Sequence, residues 1–341
     1  MNKVELYREI LHLTPYKGGD NKDYRKTLKE ALYKYKHLVD ELDDNEKPAG
    51  WDNLKNTVTK IISKINEIAL NSYKGLPSKA GTQLSNMLRE NQNSILYKTL
   101  QVNSALYRMR TFEDRRTNIS YTEMFHIPME MRRKVTTQRY STPGYPCFYL
   151  GMSVYTCWEE MNRPRMSDCW VSRLNNTNPV RLLDLSVPEL DYFVANFENY
   201  LKIFPIIISC MLPVENAKDI YKPEYIIPQL ITEWIIKNKM TGIYYTSVHK
   251  SDGFDFPMSK YQNVAIPVKT PLKQKGYCDI LSSLFEITVP MNHEIEHLRN
   301  GDQIDWKEYE LGELQWQEEN YHNSAFGHLE EWLGVEELRR L

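Results

Sequence analysis

Arg139, Tyr149 and Glu160 lie in one window of the sequence, at successive offsets of ten and eleven residues. A guanidinium binds phosphate through forked hydrogen bonds, an aromatic ring stacks on a flat ring, and a carboxylate stabilises a nearby cation. Together these residue types predict a site for an anionic, aromatic ligand whose reaction builds positive charge. The alternative is structural, because surface Arg–Glu pairs and half-buried tyrosines are common in folded proteins.

Three predicted elements would bring these side chains to one cleft. PGYP at 143–146 is typical of a turn, since Pro fixes φ and Gly accepts positive φ. The apolar CFYL at 147–150 predicts a short buried strand. Residues 153–161 predict a helix with Ser153 as its N-cap.

Four blocks of the sequence resemble the RES-domain family of bacterial toxins. They are LYRMR (106–110), RYSTPGYPCFYLG (139–151), Thr-Cys-Trp-Glu-Glu (156–160) and GIYYTSVHKSDGFDFPMSKYQNVAIP (242–267). The resemblance covers residues 104–270, about half of the chain. The residues that match the family pattern, in order, are Arg108 beside Tyr107, Arg139 with Ser141 and Gly144, Tyr149, Glu160, Ser247 and Asn263. The segment between Glu160 and Ser247 departs from the pattern by its length and its apolar insertions.

The resemblance implies an α+β fold with a mixed-sheet core like that of ADP-ribosyltransferases. It also implies an activity that breaks the nicotinamide–ribose bond of NAD⁺. Catalytic roles are implied for Arg139, Tyr149, Glu160 and Ser247, and substrate-binding roles for Arg108, Tyr107, Ser141 and Asn263. In this interpretation Arg139 and Arg108 bind phosphates or ribose, Tyr149 stacks on a base, and Glu160 stabilises the developing cation.

The sequence does not identify the acceptor of the ADP-ribosyl group. Water would make the protein a glycohydrolase, and inorganic phosphate as co-substrate would make it a phosphorylase. NAD⁺ is then a substrate, and no cofactor or metal is expected. Two other hypotheses are transfer of ADP-ribose to a macromolecule, and a module that binds NAD⁺ or ADP-ribose as a sensor without catalysis. The resemblance further implies a helix-turn-helix antitoxin as partner.

Two neighbouring residues compete with the assigned ones. On a helix Glu159 and Glu160 point about 100° apart, so one of them faces the cleft, and the family offset favours Glu160. On a strand over 105–110, Arg108 and Arg110 share a face, and either could bind phosphate. Arg108 is favoured because it adjoins Tyr107.

The composition fits a cytosolic enzyme. The chain has 341 residues, of which 41% are hydrophobic and 26% charged, which is close to average globular usage. A net charge of −2 gives no electrostatic signature of nucleic-acid binding. No apolar run is long enough for a membrane span or a signal peptide. The five cysteines form no C-x-x-C pair, which favours free thiols. An oligomer is compatible with the sequence.

Three regions are predicted along the chain: a helical N-terminal domain (1–100), a RES-like domain (101–275) and an acidic C-terminal extension (276–341). Apolar stripes predict helices over 28–42 and, after an Asp52 cap, over 54–68, with a third helix over 78–100. A structural or regulatory role is expected for these helices, and a second catalytic centre is the alternative. The extension holds fifteen Asp or Glu against four Lys or Arg. A solvated acidic face is expected, although its aromatic residues indicate that part of it folds back.

His293 to His297 match the H-E-x-x-H pattern, in which a helix presents two imidazoles to zinc. A third ligand would be Glu318, Glu319 or His322. The stretch is short and polar, however, and Glu296 stands at a position that is normally uncharged. A surface helix with two histidines is therefore expected, with the metal site as the alternative.

Overall fold

The computed structural model describes residues 1–16, 23–112, 119–249, 258–295 and 321–341. The chain forms two compact units, each assembled from three segments. The first unit contains Met1–Lys98, Thr136–Pro143 and Leu182–Val248, and the second contains Thr99–Val135, Gly144–Arg181 and His249–Leu341. The division into three regions at residues 100 and 275 stays a prediction.

The first unit is mainly helical. Its helices are α1 (Lys3–Leu11), α2 (Tyr24–Asp40), α3 (Trp51–Tyr73), α4 (Pro77–Glu90), α6 (Leu190–Ala195), α7 (Phe197–Cys210) and α8 (Ile226–Lys237). The predicted apolar stripes of α2 and α3 are buried. Tyr35 of α2 donates a 2.8 Å hydrogen bond to the carbonyl oxygen of Leu201 in α7, which satisfies a buried hydroxyl. Residues 204–210 form the buried second half of α7.

Two predicted helix limits were wrong. Helix α3 begins at Trp51 after Gly50, which has φ of 75°, so Asp52 lies in the first turn rather than at the cap. A carboxylate there still favours the helix through its dipole. The third helix ends at Glu90 instead of residue 100, because the Asn91 side chain donates a 2.8 Å bond to the Met87 carbonyl.

Three neighbouring strands are β1 (Tyr97–Leu100), β5 (Val180–Leu185) and β6 (Gly242–Thr246). The first unit contains all of β6, residues 182–185 of β5 and residues 97–98 of β1. Strands β5 and β6 are parallel, with Leu182 opposite Gly242 and Leu185 opposite Tyr245. Every residue of β6 is buried, as expected for a parallel strand covered on both faces.

The second unit is built on antiparallel strands. They are β2 (Ala105–Thr111), β3 (Cys147–Gly151), β4 (Cys169–Asn176), β7 (Gln262–Pro267), β8 (Phe285–Ile287) and β9 (Arg339–Arg340), in the spatial order β7-β3-β2-β4-β8-β9. Helices α5 (Val154–Glu160), α9 (Asp279–Leu284) and α10 (Ala325–Val335) belong to the same unit. The parallel and antiparallel pairs together confirm an α+β protein with mixed strands and an N-terminal helical region. Among the described residues, no helix is both long and apolar enough to span a membrane.

His126 is a buried, hydrogen-bonded residue of the second unit. Its Nε2 accepts a 2.9 Å bond from the Cys278 amide, and its Nδ1 lies 2.7 Å from the Ile127 carbonyl oxygen. These partners require a neutral ring that carries its proton on Nδ1. Burial lowers the pKa of His126 from its ordinary value of 6.5 to about 4.

We therefore expect acid to destabilise the protein partly through His126. Between pH 6.5 and about 4 the unfolded chain binds this proton and the folded chain does not, so stability falls as pH falls through that window, by up to about 3 kcal/mol. Urea unfolding at pH 7.5 and pH 5 should show a smaller loss for His126→Gln than for wild type. His322→Gln, at an exposed position, is the control. Equal losses in wild type and His126→Gln would contradict this role.

Candidate functional site

The turn, strand and helix predicted around the site are all present. Gly144 has φ of 76° in the turn before β3, a conformation that glycine adopts without strain. Ser153 caps α5, because its Oγ accepts a 3.0 Å bond from the Thr156 amide. The strand prediction for 147–150 and the helix prediction for 153–161 are thus confirmed within one residue at each end.

Gly151 allows the strand and the helix to approach closely. A Cβ atom at this position would lie 2.7 Å from Cys157 Sγ and 2.9 Å from the Ser153 carbonyl oxygen. Any side chain there would push α5 away from the end of β3. The glycine therefore fixes the starting position of the helix that ends at Glu160.

Glu160 and Asn263 form a hydrogen-bonded pair at the end of α5. Asn263 Nδ2 donates to Glu160 Oε1 over 2.8 Å. Asn263 is 4% exposed and lies opposite Gly151 in the β3–β7 ladder, so the sheet fixes its position. Glu160 is half-buried, and within the described part of the chain its other oxygen makes no hydrogen bond. The pair holds one carboxylate in a defined orientation with one oxygen available to a ligand.

The adjacent Glu159 has a different environment. It is 3% exposed, and its two oxygens lie 3.0 Å from Arg163 Nε and Nη2 respectively. The Nε contact is a hydrogen bond and the Nη2 contact is an ion pair, and together they hold Arg163 at the C-terminal end of α5. The Glu159 carboxylate is thus occupied by its contacts with Arg163, which supports the choice of Glu160 as the functional glutamate.

Tyr149 and Tyr107 share one face of the sheet with Asn263. Tyr107 is paired with Gly151, Gly151 is paired with Asn263, and side chains alternate along each strand. Tyr149 is half-buried, whereas Tyr107 is 7% exposed and packs in an apolar cluster with α5. Burial raises the pKa of Tyr107. The geometry leaves Tyr149 the more accessible ring of the two.

Arg108 lies on the opposite face of β2. Its guanidinium is 5.5 Å from the centre of the Phe148 ring, and its Nη1 donates a 2.6 Å bond to the Tyr149 carbonyl oxygen. Burial lowers its pKa to about 10, and its Nε is buried without a hydrogen bond. Arg110 shares this face, as expected, and bonds the Glu123 carbonyl oxygen. Arg108 therefore holds the main chain of β3 at Tyr149, and its substrate-binding role stays a prediction.

Arg139, Ser141 and Ser247 belong to the first unit. Arg139 Nη1 donates to the carbonyl oxygens of Cys210 and Leu212, at 2.7 and 3.0 Å. Its guanidinium also lies 5.1 Å from the centre of the Tyr225 ring. Nη1 thus fixes the side chain against the end of α7, and no hydrogen bond of Nη2 or Nε is found among the described residues.

The two predicted serines are both buried. Ser141 is 1% exposed and closes a tight turn, with main-chain bonds in both directions to Gln138 at 3.0 and 3.2 Å. Ser247 is also 1% exposed and directly follows β6, at the carboxyl end of the parallel strands. Their roles in binding and catalysis stay predictions.

A polar group outside the predicted set lies at the start of α5. Glu330 accepts a bond from the first amide of the helix, and Lys260 and Tyr321 contact Glu330. Lys260 lies in the fourth block that resembles the family, without an assigned role. No sequence signal points to Glu330, which lies 176 residues beyond Val154.

No group of His, Cys, Asp and Glu that could hold a metal ion occurs within the described residues. His297, Glu318 and Glu319 lie outside the described residues. Of the H-E-x-x-H pattern, the structure describes residues 293–295. The expectation of a surface helix was wrong for His293, which is 3% exposed. Its ring stacks 5.3 Å from Trp332 of α10, which covers it.

Comparison with known proteins identifies the class of this α+β chain. Residues 105–270 match the model of the RES domain. The protein named putative toxin YopC from Bacillus subtilis (strain 168) is 30% identical over 348 residues, covering 93% of this chain and 76% of that protein. This chain belongs to the RES domain family. No solved structure matches it significantly.

Proposed function

We propose that this chain is a toxin-type enzyme that degrades NAD⁺ in the bacterial cytosol by breaking the nicotinamide–ribose bond. Membership of the RES domain family and the toxin name of the Bacillus relative support the class. The observation that carries the proposal is the Glu160–Asn263 pair, a half-buried carboxylate oriented by a buried amide with one oxygen available.

The chemistry of NAD⁺ suits such a carboxylate. Nicotinamide leaves a cationic glycoside as a neutral ring, so no general acid is needed to protonate it. The remaining demand is to stabilise a transition state in which the ribose resembles an oxocarbenium ion. A fixed carboxylate meets this demand because its negative charge is already oriented when the positive charge develops.

The other predicted residues have distinct proposed roles. Tyr149 stacks on the nicotinamide or adenine ring, and Arg108 positions it through the β3 main chain. Arg139 binds phosphate with the Nη2 and Nε edge that its carbonyl contacts leave available. Ser247 orients the ribose or the acceptor. Tyr107 and Ser141, which are both buried, contribute to substrate binding.

Product analysis tests this function and identifies the acceptor. Purified protein is incubated with NAD⁺, with and without inorganic phosphate, and the products are separated by chromatography. The proposal predicts free nicotinamide together with ADP-ribose if water is the acceptor, or with its 1″-phosphate if phosphate is. ADP-ribose attached to a macromolecule would instead establish a transferase. Binding of NAD⁺ without turnover would establish a sensor and overturn the enzymatic proposal.

A toxin that consumes a central metabolite must be inhibited in the cell that produces it. We propose a separate helix-turn-helix antitoxin as the partner, on the basis of the family resemblance. Co-expression with the antitoxin should restore the growth of cells that produce this chain and should preserve their NAD⁺. Unchanged NAD⁺ loss in the presence of a bound antitoxin would contradict this role.

Arg139→Ala should weaken both NAD⁺ use and stability. Loss of the phosphate-binding fork should raise KM and lower kcat/KM about 10²-fold. Loss of the bonds to the buried Cys210 and Leu212 carbonyls should lower the free energy of unfolding by about 2 kcal/mol. Steady-state kinetics and urea unfolding measure the two effects separately.

Arg132→Ala is the matched control, because Arg132 also bonds two main-chain carbonyls, those of Gly144 and Pro271, at 2.9 and 3.1 Å. It should lose stability and keep its KM for NAD⁺. If the two variants lost kcat/KM equally, the contribution of Arg139 would be structural only.

A further inference from the structure

The C-terminal helix α10 packs against α5, the helix that ends at Glu160. It lies outside the residues that match the RES domain. Phe326, Leu329 and Leu333 of α10 are buried in one apolar cluster with Val154 and Tyr155 of α5. Ser324 caps α10 through its Oγ, which accepts from the Gly327 amide. The chain beyond the RES-matched region therefore forms one wall of the packing around α5.

Glu330 places a carboxylate at the start of α5. Its Oε1 accepts a 2.8 Å bond from the Val154 amide and a 2.5 Å bond from the Tyr321 hydroxyl. The first turn of α5 has no acidic residue of its own, and Val154 is its first residue. A negative charge at this end is favourable because the exposed amides of a helix N-terminus carry partial positive charge. Glu330 thus supplies a second cap beside Ser153.

Lys260 connects the same group to the strand that carries Asn263. Its Nζ lies 3.8 Å from Glu330 Oε2 and 4.3 Å from the centre of the Tyr321 ring. Its carbonyl oxygen accepts bonds from the hydroxyls of Ser153 and Thr156 in the first turn of α5. Asn263 follows three residues later, near the beginning of β7. One set of contacts therefore fixes both the start of α5 and the approach to β7.

We propose that Glu330 is a positioning residue for Glu160, a role that rests on the proposed function. It does not touch the substrate. It acts by holding the start of α5 and, through Lys260, the approach to β7, so that Glu160 and Asn263 meet at 2.8 Å. A helix of seven residues has little stability of its own, so its orientation depends on such contacts. A displacement of about 1 Å at a reacting group costs on the order of 10²-fold in rate.

Three variants separate the parts of this role. Glu330→Ala removes both the acceptor and the charge, and kcat for NAD⁺ loss should fall about tenfold with KM within twofold. Glu330→Gln keeps an acceptor for the Val154 amide and should recover part of that loss. Glu331→Ala changes the adjacent, exposed carboxylate of the same helix and should retain wild-type kcat. Rates are expressed per folded protein, from the unfolding curve of each variant.

A double-mutant cycle distinguishes positioning from general destabilisation. If Glu330 acts through the Glu160–Asn263 pair, Glu330→Ala should cost little further activity once Asn263→Ala has removed that pair. If the two losses multiply, Glu330 acts independently of the pair and the proposal is overturned.

Amide hydrogen exchange provides a readout that does not depend on activity. Glu330→Ala should accelerate exchange at Val154 and in the rest of α5, and Glu331→Ala should not. Wild-type protein that consumes no NAD⁺ would refute the proposed function, while faster exchange confined to α5 and the start of β7 would still support the positioning contact. Unchanged exchange at Val154 in Glu330→Ala would overturn the contact itself, whatever the activity.

Discussion

Glu160→Gln should lower kcat for NAD⁺ degradation by about 10³-fold while the protein stays folded. Glutamine keeps the oxygen that accepts from Asn263 Nδ2, so the geometry at the end of α5 is retained. What is lost is the negative charge that stabilises the cationic ribose in the transition state. The effect should therefore appear in kcat, with KM for NAD⁺ nearly unchanged. Steady-state release of nicotinamide measures both constants.

Glu159→Gln is the natural control for that experiment. The residue is adjacent in sequence and carries the same group, but its carboxylate is paired with Arg163. Its replacement should cost about 1 kcal/mol of stability, because Arg163 is half-exposed, and should leave kcat within threefold. If Glu159→Gln lost more activity than Glu160→Gln, the assignment of the functional glutamate would be wrong.

Asn263→Asp should lower activity at neutral pH by about 10²-fold with almost no change in shape. The substitution places a second carboxyl group at hydrogen-bond distance from Glu160, in a position that is 4% exposed. Two carboxylates so close cannot both ionise freely, so they share a proton and one pKa of the pair rises. Part of the negative charge available to the ribose is thereby neutralised. The pH dependence of kcat should gain an ionisation that wild type lacks.

Asn263→Ala separates the charge effect from the loss of the hydrogen bond. Alanine frees Glu160 without adding a carboxyl group, so we expect a loss of about tenfold and no new ionisation in the pH profile. Identical pH profiles for Asn263→Asp and wild type would show that residue 263 does not contact Glu160 during the reaction.

Local sequence signals predicted the elements around the site well. The turn at 143–146, strand β3 and the Ser153 cap follow from residues close together in the chain, where Pro, Gly and Ser have direct conformational effects. The order of the family motifs also selected Glu160 over Glu159, and the ion pair of Glu159 with Arg163 supports that choice.

Contacts between distant residues could not be predicted in the same way. The bond from Val154 to Glu330 joins residues 176 positions apart, and nothing in the local pattern around Glu330 marks it as a cap. The environment of Arg108 was also not predicted from the sequence. Its guanidinium lies against the Phe148 ring and donates a hydrogen bond to the main chain of β3. The end of α4 at Glu90 depended on a side-chain bond of Asn91 that the apolar stripe does not reveal.

Release of nicotinamide from NAD⁺ by the purified chain tests the central claim most directly. We expect many turnovers by wild type and by Glu159→Gln, and release reduced about 10³-fold in Glu160→Gln. Equal release by wild type and Glu160→Gln would contradict the assigned carboxylate. Intact NAD⁺ after incubation with folded wild-type protein would contradict the claim that this chain degrades it.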